Sequence, residues 1–124
     1  MSDEPTLPQE SILKTIRQML GPDSNYDVFD TDLIVHINTA FMTLYQAGVG
    51  PALMPFQITG DTETWGMFTD YMPYLQAVKS FIFLEVKNLF DPPANSTVLK
   101  SYEEKALEYL WRLNVQAETL ALED

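Results

Sequence analysis

At 124 residues, with 46% apolar and 12% aromatic residues, the chain is long enough for one domain with its own core and too apolar to stay disordered. Seven Lys and Arg stand against 18 Asp and Glu, a net charge of −11. The cations are scattered and form no patch, which argues against nucleic-acid affinity, and the lack of cysteine excludes disulfides and thiolate metal sites.

Residues 1–9 carry two prolines and several polar residues and read as a flexible arm. They contain neither the basic nor the apolar stretch of a secretory signal. From Glu10 the pattern turns helical, with Ile12, Leu13, Ile16, Met19 and Leu20 on one face. Ser11 or an earlier residue caps this helix, and Gly21-Pro22 ends it.

The next stretch, GPDSNYDVFDTDLIVHIN, carries four aspartates ahead of an apolar run. An EF-type calcium loop starting at Asp23 would take Asp23, Asn25 and Asp27 as ligands, with glycine sixth and glutamate twelfth. Val28 and Ile34 occupy those two positions, so the motif fails where it is most restrictive. Turn chemistry over Pro22–Asn25, followed by an N-cap at Asp30 or Thr31, accounts for the residues better. The second helix then runs from Asp32 to Ala47, with a core stripe of Leu33, Ile34, Ile37, Phe41, Leu44 and Tyr45. Val35 and Met42 lie on its opposite side and are candidates for a second contact surface. His36, the single histidine, falls beside the stripe and is expected to be a boundary residue with a hydrogen-bond partner.

Gly48-Val49-Gly50-Pro51 ends that helix. In the proline-rich stretch that follows, Phe56-Gln57-Ile58-Thr59 forms one short extended segment, and its amides need a partner. A small hairpin or strand addition to a neighbouring subunit would supply one, which makes Phe56 an interface candidate. Asp61 to Trp65 reads as the acidic first turn of a short helix to Phe68. Asp61 and Glu63 are also the one candidate pair for carboxylate catalysis. Pro73 suits the start of a fourth helix reaching Phe90. Its stripe of Leu75, Val78, Ile82, Val86, Leu89 and Phe90 is widened by Phe81, Phe83 and Leu84, so it should be central or sandwiched. Asp91-Pro92-Pro93 breaks it. Asn95 or Ser96 caps a fifth helix to Val115, lined by Val98, Leu99, Tyr102, Ala106, Tyr109, Leu110 and Leu113. Leu107 and Trp111 sit one turn apart on the other side, as an interface anchor would. Residues 116–124 are acidic and read as a tail that frays or orders on a partner.

The expected fold is therefore all-α: a bundle of four to five helices in a domain over residues 10–115, with a short extended loop segment. The sequence holds no phosphate-cradling loop, nucleophile elbow or zinc-protease motif. A single histidine without cysteine makes a poor catalytic centre. No enzymatic activity, cofactor or metal site is expected.

Several strings resemble the head–tail connector proteins of long-tailed phages of Gram-positive bacteria. They are Ile12–Ile16, Phe29–Asn38, Gly48–Pro51, Ile58–Asp61, Trp65, Ala77–Lys79, Leu89–Pro93 and Trp111–Asn114. Their order and spacing carry the resemblance over residues 10–115, and the chain departs from it at Ala52–Pro55, where it is longer. The resemblance implies a small helical adaptor assembled as a ring, usually of twelve subunits, beneath the portal. Such a ring extends the DNA channel and docks stopper or tail components. It also implies a virion protein made in the bacterial cytoplasm, without catalysis. On that reading Val35, Met42, Phe56, Leu107 and Trp111 are the interface candidates, and the 116–124 tail is a candidate for portal contact. A twelve-fold ring of this chain would carry roughly −130 charges, which would keep passing DNA from sticking. The rival reading is an acidic prophage-encoded regulator or DNA mimic, which would be monomeric or dimeric.

Overall fold

A computed structural model describes residues 9–21 and 27–123. Among these residues five α-helices are present: α1 (Ile12–Leu20), α2 (Asp30–Gln46), α3 (Trp65–Phe68), α4 (Met72–Phe90) and α5 (Ser96–Glu123). The calcium-loop candidates Asp23 and Asn25 lie outside the described residues. The fold is an all-α bundle. Among the described residues no strand forms, only an isolated antiparallel bridge between Ser11 and Thr64.

Ser11 begins α1 as its sequence position suggests: its hydroxyl accepts the Lys14 amide at 3.2 Å. Gly21 closes the helix at φ 111°, a conformation open to glycine and strained for other residues. The buried face of α1 is Ile12, Leu13 and Ile16.

The start of α2 differs from expectation. A 3-10 turn over Asp27–Phe29 leads into it, Phe29 is the N-cap, and no side chain caps the helix. The Asp30 carboxylate is engaged elsewhere. Both of its oxygens accept from Arg17 Nη2, at 2.7 and 2.9 Å, which ties α1 to α2. Asp30 and Asp32 still lie in the first turn, where the helix dipole favours anions. Leu33, Ile37, Ala40, Phe41 and Leu44 make the buried face of α2.

α4 is the central element, packed against α1, α2 and α5. Val78, Ile82 and Val86 are fully buried along it, and Phe81 is 1% exposed. Each such side chain contributes about 1.5–3 kcal/mol by leaving water. α5 begins where Asn95 caps it, its side-chain oxygen accepting the Thr97 and Val98 amides at 2.8 and 3.2 Å. It does not stop near Val115. It runs 28 residues to Glu123, with Ala117 and Leu120 packed against the core. No glycine or proline interrupts that stretch, and Ala, Leu, Glu and Gln are all good helix formers.

The α2–α3 connection is held by polar contacts. Gly48 takes φ 80°, and the Val49 amide donates to the Leu44 carbonyl at 2.9 Å. Asn114 of α5 donates to the Ala47 carbonyl at 2.7 Å. Phe56–Thr59 pairs with neither a hairpin nor a strand. Its partner is Asn38 on α2, whose side-chain amide donates to the Ile58 carbonyl and accepts the Ile58 N–H. A carboxamide offers the same donor and acceptor as a peptide group, so it satisfies the buried Ile58 of the segment within one subunit.

The acidic turn before α3 also differs. Residues 61–64 stand outside the helix, which begins at Trp65. Trp65 is fully buried, and its indole N–H donates to the Thr15 hydroxyl at 3.0 Å. The Ile12 amide donates to the Glu63 carbonyl and the Trp65 amide to the Glu10 carbonyl, which pins the loop beside α1.

Candidate assembly interface

Two outward rows of apolar side chains are set by helical spacing alone. On α5 the core face centres on Tyr102, Ala106, Tyr109 and Leu113, at steps of three and four residues. At about 100° per residue, Leu107, Trp111, Val115 and Leu122 fall within about 80° on the opposite side. They are 65%, 66%, 41% and 87% exposed. The row runs about 22 Å along the helix axis. Sequence periodicity finds Leu107 and Trp111; Val115, at the end of the expected helix, shares their face, and Leu122 joins them only because the helix runs through 116–123.

On α2, Val35 and Met42 are exposed and lie opposite Leu33, Ile37 and Leu44. With Asn38, Thr39 and Gln57 they line a surface groove of about 370 Å³. Asn38 holds the neighbouring 56–59 segment in place, so the groove has a fixed wall. Phe56, the fifth candidate, is placed differently. Its ring packs edge-on to Phe41 and Phe68, with centroids 5.1 and 5.6 Å away, and is half-buried against the core. It belongs to the internal packing of the subunit.

The two acids of the possible catalytic pair are engaged with different partners. Glu63 closes a turn, accepting the Thr59 hydroxyl at 2.7 Å and the Thr59 and Gly60 amides at 3.0 and 3.3 Å. Burial alone would raise its pKa, but these hydrogen bonds outweigh it and hold the carboxyl below its ordinary value. Asp61 faces Lys14 at 3.8 Å across solvent. Among the described residues no group of acids and histidine is arranged to hold a metal ion. His36 is half-buried on α2 and, contrary to expectation, has no hydrogen-bond partner among the described residues. A cavity of about 420 Å³ lies at the α3–α4 corner beside Phe68, Asp70, Tyr71, Tyr74 and Leu120, with no nucleophile–base pair among its lining residues.

The family model for phage connector proteins matches residues 12–119, nearly the whole of the described bundle. The chain belongs to the phage connector protein family. The connector also matches an uncharacterized protein of Schizosaccharomyces pombe, 32% identical over 89 residues. That alignment takes in 65% of the connector but only 6% of the yeast protein, so it carries no functional inference. No solved structure matches. The phage connector family is a structural one. No described helix is long and apolar enough to cross a membrane. Membership gives the connector a head–tail connecting role and places it in the virion.

Proposed function

We propose that this connector is the repeating subunit of a ring at the phage head–tail junction, below the portal. The ring extends the DNA channel and offers a docking surface to stopper or tail proteins. The observation that carries the reading is the double-faced character of α5: one side fills the core, and the other presents Leu107, Trp111, Val115 and Leu122 to solvent. A single copy leaves that row uncovered, and exposed apolar rows of this kind mark interaction surfaces. A ring uses heterologous contacts, so a different face must receive the row. The acidic balance of −11 suits a channel through which DNA slides without binding. The C-terminal turns of α5, where Leu122 is 87% exposed, are the proposed contact to the portal.

Native mass spectrometry over rising protein concentration tests the reading. A discrete closed oligomer is expected, with Trp111→Asp returning it to monomer while helicity is kept. A chain that stays monomeric throughout and binds duplex DNA tightly and salt-sensitively would overturn it.

A further inference from the structure

We infer that the α5 row of one subunit docks, in parallel register, into the α2 groove of a second copy, with Leu107 as the knob and Val35, Asn38, Thr39 and Met42 as its hole. This rests on the ring reading and specifies which faces meet.

Shape supports the pairing. Val35, Asn38, Thr39 and Met42 occupy positions i, i+3, i+4 and i+7, the four-residue diamond that receives one side chain of a facing helix. The α5 residues Leu107, Trp111 and Val115 are spaced i, i+4, i+8, as a row of knobs on such a helix must be. The row points directly away from its own bundle, so it cannot reach its own α2.

Charge sets the direction. Six of the seven cations pair with acids: Lys14–Asp61, Arg17–Asp30, Lys79–Glu10, Lys87–Asp91, and both Lys105 and Arg112 with Glu108. Among the described residues Lys100 is the cation left without an acid, and Asp32 on α2 has no cation. Both are exposed. With the helices parallel and Lys100 level with Asp32, Leu107 comes level with the middle of the diamond. Trp111 then covers Met42, and Glu104 falls level with His36. The antiparallel alternative brings Glu118 towards the acidic start of α2 and leaves Lys100 beside Gln46. The contact is small. A strip about 22 Å long and about 10 Å wide is well below the ~800 Å² per partner of a stable pair, so closure of the ring must add to it.

The chain has no cysteine, so introduced thiols report the contact alone. The full-length Met42→Cys/Trp111→Cys double variant, oxidised at high concentration, is expected to give a ladder extending past the dimer. Neither single variant should cross-link. Lys100→Asp should lower the ladder yield about two- to five-fold, and adding Asp32→Lys should restore it. Dimers from Trp111→Cys alone would show an α5–α5 contact and overturn the inference. A ladder preferring Val35→Cys/Trp111→Cys would reverse the register and overturn it too. Large oligomers of the unmodified chain without any Met42–Trp111 ladder would reject this docking and leave the ring intact. Absence of both oligomers and ladder would remove the ring itself.

Discussion

Asn38 and Ile58 exchange two hydrogen bonds: the Asn38 amide donates to the Ile58 carbonyl at 3.0 Å, and the Ile58 amide donates to Asn38 Oδ1 at 2.8 Å. A side chain on a helix thus takes the place of a neighbouring strand. Ile58 is 2% exposed, so its backbone has no water to fall back on. Asn38→Ala leaves a donor and an acceptor unpaired, and the expected loss is about 2–3 kcal/mol in urea unfolding. A loss under about 0.5 kcal/mol would mean the segment finds other partners without strain.

Gly50 and Gly60 should respond oppositely to the same change. Gly50 sits at φ 94°, and a Cβ there would lie 2.5 Å from Phe68 Cε1. Phe68 is wedged between Phe41 and Phe56, so its ring has little room to move. Gly50→Ala should cost about 2–4 kcal/mol, combining backbone strain with overpacking. A Cβ at Gly60 meets nothing within 4 Å, and Gly60→Ala should change stability by less than about 0.5 kcal/mol. Thermal melts of the two variants, side by side, check the contrast.

Two glutamates should move stability in opposite directions with pH. Glu85 is half-buried on α4, and burial raises its pKa. Its folded form therefore holds a proton more tightly than the unfolded chain, and ionised Glu85 lowers stability at neutral pH. Glu85→Gln should raise the urea midpoint at pH 7, with the gain vanishing as pH falls to about 4, the ordinary glutamate range. The lowered pKa of Glu63 has the reverse sign. Its contribution is present above the ordinary glutamate value and is lost as pH falls through the lower folded value. Glu63→Gln should lower the midpoint at pH 7, with the gap closing as pH falls below the ordinary glutamate range. Parallel shifts of the two variants with pH would refute this account.

The helices were legible where a local signal starts or stops them. Ser11, Gly21, Pro73 and Asp91-Pro92-Pro93 each act on their own neighbours, and the structure follows them. The misreadings are long-range. Asp30 looks like a cap until Arg17, thirteen residues away, takes its carboxylate. Phe56–Thr59 looks like an edge awaiting a neighbour until Asn38, twenty residues away, supplies the peptide-like group. The end of α5 differs for another reason: its acidity suggests a loose tail, although Leu120 repeats the spacing of Leu113 and packs against the core. The far end of the outward row depends on that continuation, since Leu122 shares a face with Trp111 only if the helix runs past Val115.

α5 is a single unbroken rod of 28 residues, about 42 Å long, braced along α4. Force applied to its outer side reaches the centre of the subunit through packed side chains, with no loop in between to absorb it. Such an element behaves as a stiff strut, and what grips it grips the whole body.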